Sequence, residues 1–294
     1  CQTSFDFGGQ LWHCFTSGKN TDILFVCDEH FVFAMNVVAQ GAFLFKDRVG
    51  IIAFELMNNH FHYILSGAET DILEFFNFIK KRISREIPKA AKLQLQYKPA
   101  ADLQTLRNNI VYVNRNGYVA NPNYTPFSYP WGTGRYYFNI SPHEGDIEDL
   151  TVTKLREMMH GRALPFPKDW RYLDGYITPD SYCRLQFGMS LFRDAHHYFS
   201  MVSKNVEAYS GIAVDLDDGE FLTDQELFSE VLKILRSRYD GARLTSLSSA
   251  QKLDLARILH YDYRSSNGQV RRVLGLSQFE VDSLFPLTKI DFFD

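Results

Sequence analysis

Along the first 120 residues the apolar positions switch repeatedly between a period of two and a period of three to four. Leu11 to Thr16 reads as a short strand followed by the turn Ser17-Gly18-Lys19-Asn20. From Asp28 to about Phe45, the positions Phe31, Ala34, Met35, Val38 and Ala42 recur at threes and fours, which marks one face of a helix. Val49 to Leu56 and His60 to Ser66 are apolar runs joined by Met57-Asn58-Asn59, a link short enough to make them antiparallel neighbours. Glu69 to Ile87 predicts a second helix with Ile72, Phe75, Phe76, Ile79 and Ile83 inward, stopped by Pro88. Leu93 to Tyr97 alternates as a fourth strand, and Asp102 to Asn116 predicts a third helix ending near Gly117. The order is βαββαβ with one helix appended, the pattern of a ferredoxin-like α+β sandwich. Two helices cover one face of such a sheet, and the appended helix can lie across the other.

The pattern then changes. Residues 121 to 180 are rich in Pro, Gly and aromatics, including Pro126, Pro130, Trp131, Gly132, Gly134, Pro142, Pro165 and Pro167, and predict an irregular segment wrapped around residues 1 to 120. From 181 to 294 the periodicity is helical. Asp224 to Tyr239 turns Leu227, Val231, Ile234 and Leu235 inward, and Ser248 to Leu259 reads as a capped amphipathic helix. Gly268 to Leu284 breaks at Leu274-Gly275-Leu276-Ser277, so residues 248 to 287 resemble a helix-turn-helix with Gly275 at the turn and Ser277 as N-cap. Its second helix, Gln278 to Phe285, carries Glu280 and Asp282 but no Lys or Arg, which suits phosphate contact poorly. Duplex DNA binding and a structural or oligomerising role both stay open for this region.

Composition narrows the class. With 294 residues, 45% hydrophobic and 22% charged, the chain can bury more than one core, and 25 Phe and 16 Tyr supply many rings. Cys1, Cys14, Cys27 and Cys183 form no CxxC pair, which points to neither a zinc ribbon nor a disulfide framework and fits a cytoplasmic setting. No apolar stretch approaches a membrane span of about 20 residues, and the opening run Cys1 to Asp6 is too polar for a signal peptide. A net charge of −4 argues against a protein that coats nucleic acid. Basic residues do cluster locally: Lys80, Lys81, Arg82 and Arg85; Arg236, Arg238 and Arg243; Arg264, Arg271 and Arg272. Each cluster reads equally as a solvated helix face.

The candidate chemistry lies at His60-Phe61-His62. On a strand, residues i and i+2 share a face, so both imidazoles can serve one metal ion. A half-buried strand histidine without that role is the commoner occurrence. On the appended helix Tyr112 and Asn116 are four apart and share a face, although packing and capping account for such residues as well.

Three separated stretches carry a resemblance. They are Leu11-Trp12-His13-Cys14-Phe15-Thr16-Ser17-Gly18 with Ile23-Leu24-Phe25, then Leu56-Met57-Asn58-Asn59-His60-Phe61-His62, and finally Tyr112-Val113-Asn114-Arg115-Asn116 trailed by Tyr129-Pro130-Trp131-Gly132. Over residues 10 to 140 the chain resembles the HUH endonuclease superfamily, and within it the single-tyrosine transposases, closest to the REP-associated tyrosine transposase-like proteins. Asn58 stands where that family has Pro, a turn that Asn can also make. Gly117-Tyr118-Val119 replaces a longer run after the helix, which implies a different target recognition.

The resemblance implies a metal-dependent endonuclease and strand-transfer enzyme acting on single-stranded DNA, with Tyr112 attacking a phosphodiester to leave a 5′-phosphotyrosine. A tyrosine with a pKa of ~10 is a weak nucleophile at neutral pH and needs such help. It implies Mg2+ or Mn2+ held by His60, His62 and Asn116; ligand type alone would equally allow zinc. A hairpin in the DNA, phosphate contacts from Lys80, Lys81, Arg82, Arg85 and Arg115, and a monomer or homodimer complete the expectation. Two alternatives remain: a regulatory DNA-binding protein that kept the fold without activity, and an RNA-binding protein of the RRM kind. The latter lacks its K/R-G-F/Y-G/A-F motif here.

Overall fold

The computed structural model describes residues 10–17, 23–120, 124–125, 127–203, 224–261, 263, 265 and 267–285. The expected turn at 18–20 and Arg264 lie outside them. The chain divides into two compact units, Cys1–Tyr118 with Tyr124–Asp218, and Val119–Asn123 with Gly219–Asp294.

The first unit is α+β. Strands β1 (Leu11–Thr16), β2 (Gly50–Leu56), β3 (Phe61–Ser66) and β4 (Leu95–Pro99) form one sheet in the order β2-β3-β1-β4. Every neighbouring pair is antiparallel. The tight link between β2 and β3 pairs Glu55 with His62 and Leu56 with Phe61.

Alternation along the strands makes two apolar faces. Trp12, Cys14, Phe54, Phe61, Tyr63 and Leu65 point to helices α1 (Asp28–Leu44) and α2 (Glu69–Ile83). Leu11, Phe15, Ala53 and Ile64 point the opposite way, to Leu106, Ile110 and Val113 of α3 (Leu103–Ala120). Each helix thus buries an apolar stripe against one side of the sheet, the arrangement that removes most apolar surface from water.

Helix α1 is apolar on more than one side, and residues 33 to 42 are all buried. Its far side is covered by β5 (Gly145–Asp146), β6 (Arg171–Leu173) and β7 (Tyr176–Ile177), a small antiparallel sheet, and by α4 (Val152–Met158). Two buried amides of α1 make that junction specific. Asn36 Oδ1 accepts from the Ile177 amide, Asn36 Nδ2 donates to the Met158 and Gly175 carbonyls, and Gln40 Nε2 donates to the Met159 carbonyl. The stretch after residue 120 therefore contains regular structure, and α5 (Leu185–Ser190) and α6 (Ala195–Val202) belong to the first unit. The helical unit begins later than residue 181.

That second unit holds α7 (Asp224–Arg238), α8 (Ser249–Tyr261), α9 (Asn267–Leu274) and α10 (Gln278–Leu284) around Leu227, Val231, Leu235, Leu255, Leu259, Val270 and Val281. Gly275 takes a φ of 65° at the turn between α9 and α10, a left-handed conformation that favours glycine. Ser277 caps α10: its hydroxyl accepts from the Glu280 amide, and the Glu280 carboxylate accepts from the Ser277 amide. Among the described residues, no helix is long and apolar enough to cross a membrane.

Candidate active site

The face of the sheet covered by α3 carries polar groups that an apolar core would exclude. His13 on β1, Glu55 on β2 and His62 on β3 alternate with residues that face α1 and α2, so all three point toward α3. His60 ends the turn before β3, closed by a hydrogen bond from the Met57 amide to the His60 carbonyl. The Asn58 carbonyl accepts from the Leu24 and Phe25 amides, so Asn58 ties the turn to the segment before α1.

The His60 and His62 rings are 4.9 Å apart at 82°. Two imidazoles bound to one ion through bonds of about 2.1 Å place their centres about 5 Å apart, so this spacing suits a shared cation. Asn59 Oδ1 lies 2.6 Å from His60 Nδ1. A carbonyl oxygen only accepts, so this contact matches the tautomer with the proton on Nδ1, which leaves Nε2 the lone pair a metal ligand needs.

Helix α3 brings Tyr112 to this pair. Its ring is 5.7 Å from that of His62 and 6.0 Å from that of His13, which is itself 5.6 Å from His62. Asn116 follows one turn later, and its Nδ2 is buried without a hydrogen-bond partner. The site is closed: Tyr112, the most exposed of His60, His62, Tyr112 and Asn116, shows only 4% of its surface.

Two devices fix α3 over the sheet. The segment Trp131-Gly132-Thr133 pairs with the outer edge of β2, with hydrogen bonds from Leu56 N to Trp131 O and from Thr133 N to Phe54 O. From there the Thr133 hydroxyl donates to Asn114 Oδ1 of α3, whose Nδ2 donates to the Tyr198 hydroxyl. The second device is Gly117. It does not end the helix, which runs on to Ala120, but a Cβ at this position would overlap both the Glu55 carboxylate and the Tyr129 ring. Glycine is needed here for close approach, and that need overrides its tendency to stop helices.

Glu55 is a fully buried carboxyl that faces the Gly117 amide, and neither oxygen completes a hydrogen bond with a protein group. Burial pushes its pKa well above the ordinary carboxylate value, partly opposed by that amide. Neither Glu55 nor His13 stands out in the sequence as a site residue. A single charged residue within the apolar run Ile51 to Leu56 was the available signal for the first; alternation with Leu11 and Phe15 was the signal for the second.

The expected DNA contacts fall elsewhere. Lys80, Lys81, Arg82 and Arg85 lie on or just after α2, across the sheet from Tyr112. Lys80 donates to the Leu93 carbonyl and Arg82 to the Met159 carbonyl, so both help to hold the fold. Arg115 is buried and donates to the Val202 carbonyl. The structure brings together the rings of Tyr112, His60 and His62, with Asn116 buried one helical turn after Tyr112, and it leaves the basic residues outside that group. Among the described residues, no cluster of three or more His, Cys, Asp or Glu side chains is arranged to hold a metal ion. The donors whose spacing suits a shared cation are thus the two imidazoles of His60 and His62, a pair that leaves coordination positions open.

No family model and no curated protein matches the chain. Among solved structures, it is similar to a REP-associated tyrosine transposase bound to a REP hairpin, at 13% identity over 45% of this chain and 79% of that one, with a TM-score of 0.34.

Proposed function

We propose that the first unit is a ferredoxin-like sandwich acting as a metal-dependent single-stranded DNA endonuclease and strand-transfer enzyme. The observation that carries this reading is the approach of the Tyr112 ring to within 5.7 Å of His62, on the same face as His60 and with Asn116 one turn away. The sheet order β2-β3-β1-β4 supports the fold. His60, His62 and Asn116 would hold Mg2+ or Mn2+, which when bound polarises a phosphate and offsets its developing charge.

The remaining work falls to the chain. Tyr112 Oη forms a bond to the scissile phosphorus and gives up its proton, while the bond from phosphorus to the 3′ oxygen breaks and that oxygen ends with the proton the phenol has lost. The product is a 5′-phosphotyrosine and a free 3′-OH. Because the phosphodiester energy is kept in the tyrosyl link, a 3′-OH can reverse the step and join a new strand. The buried walls, Phe15 and Ile64 among them, exclude water that would compete for that link.

The closure of the site favours a second reading, a regulatory DNA-binding protein that retains the fold without cutting. Incubating the full chain with labelled single-stranded hairpin oligonucleotides and Mg2+ or Mn2+ separates the two. The nuclease reading expects a covalent protein–DNA adduct that Tyr112→Phe abolishes and that His60→Ala with His62→Ala reduces to background. Binding without any adduct in the wild type would establish the regulatory reading instead.

A further inference from the structure

The register of the edge strand places a cation on the side of the sheet that holds Tyr112. His13 on β1 pairs with Lys98 on β4, and Phe15 pairs with Gln96. Directly opposed residues of an antiparallel pair point to the same face with their Cβ atoms about 5 Å apart. Their neighbours confirm the alternation: Leu95 and Tyr97 pack into the core beneath α1 and α2, and the Tyr97 ring meets Trp12 at 5.5 Å. Lys98 and Gln96 therefore stand on the α3 side, beside His13, whose ring is 6.0 Å from that of Tyr112. Both are exposed, whereas His13 and Phe15 on the adjacent strand are buried. Among the described residues, the cover over this face thus stops before the edge strand, and the side chains at 96 and 98 reach solvent.

We propose that Lys98, with Gln96 beside it, forms a phosphate-binding strip along β4 that leads a single DNA strand toward Tyr112. This rests on the nuclease reading above and assigns the backbone contact to the edge strand, in place of the α2 cluster. An ammonium on a flexible stem suits a phosphate as a point charge, and Gln96 adds a neutral donor to the same strip. The exposed α2 side chains Lys81 and Arg85 lie across the sheet and cannot reach a strand that enters from this side.

The test is fluorescence anisotropy of a labelled single-stranded oligonucleotide with the full chain over a range of NaCl concentrations. Lys98→Gln should weaken binding about five-fold at low salt and flatten the dependence of log affinity on log salt by about 0.7, the value of one phosphate on a single strand. Lys98→Arg should restore both, and the Lys81→Gln/Arg85→Gln double variant should match the wild type. Unchanged binding by Lys98→Gln would overturn the proposal, as would a larger loss in the α2 variant. Increased light scattering from Lys98→Gln with unaltered DNA binding would also overturn it, assigning Lys98 to protection of an exposed strand edge. A wild type that binds through Lys98 but forms no adduct would refute the nuclease reading alone. Adduct formation that is indifferent to Lys98 would refute the strip alone.

Discussion

Replacing Gly117 by alanine sets a local rule against a tertiary one. In the interior of an exposed helix, Gly→Ala stabilises by about 1 kcal/mol. Here the new methyl group would meet Glu55 Oε1 and two carbons of the Tyr129 ring, well inside the 3.0 Å that Cβ contacts in proteins keep. Neither neighbour retreats easily. Glu55 is buried, and Tyr129 is buried with its hydroxyl donating to the Leu56 carbonyl at 2.7 Å. Overpacking costs about 1–3 kcal/mol, and a ring displaced far enough to lose its hydrogen bond adds about 1 kcal/mol. Set against the propensity gain of about 1 kcal/mol, Gly117→Ala should destabilise the first unit by about 2 kcal/mol, near the middle of that range. For a unit of this size that lowers the melting temperature by about 4–8 °C. Urea denaturation followed by circular dichroism measures it, with Gln104→Ala, on the exposed side of the same helix, as the control. Glu55→Ala should recover part of the loss in the Gly117→Ala background, a coupling of about 1 kcal/mol. A Gly117→Ala protein as stable as the wild type, or more so, would refute the packing argument and leave Gly117 a mere breaker that the helix tolerates.

The remaining predictions concern the charges around the same helix. Glu55 has a folded-state pKa raised by burial, so between its unfolded value of about 4.3 and that raised value the unfolded state is ionised while the folded state holds a proton. Its contribution is thus fully present below about pH 4.3 and declines as pH rises, by up to about 1.4 kcal/mol per pH unit. Glu55→Gln, measured in chelator, should gain on the wild type as pH climbs from 5 to 8, and a stability difference that is flat across that range would contradict the assignment. Asn59→Ala removes the oxygen 2.6 Å from His60 Nδ1 and should weaken Mn2+ binding by about 10- to 100-fold in calorimetric titration. An unchanged affinity would mean that Asn59 does not set the ligand state.

What the sequence made legible was local. Strand and helix periods located the elements of the main sheet to within a few residues, because alternation and three-four spacing report directly on which face is buried. The pairing of His60 with His62 and of Tyr112 with Asn116 followed from the same two periods. Harder to see was anything decided by a partner distant in sequence. Gly117 reads as a helix end because its reason for being glycine, the Glu55 carboxylate and the Tyr129 ring, lies on other segments. Helix α1 reads as one-sided because the strands that cover its second side are two or three residues long and carry little pattern of their own. The α2 cluster drew attention by charge density, yet Lys80 and Arg82 are held by the Leu93 and Met159 carbonyls on the side of the sheet away from Tyr112. Lys98, a single cation on an edge strand, gained meaning only from its register with His13.

On the proposed reading, Tyr112 is the nucleophile. Digesting a protein–oligonucleotide adduct with trypsin and a nuclease, then sequencing the nucleotide-bearing peptide by mass spectrometry, tests it most directly. The expected product is a 5′-linked nucleotide on Tyr112, with His60 and His62 needed for its formation. An adduct mapped to another tyrosine, or one that forms equally in the Tyr112→Phe protein, would contradict it.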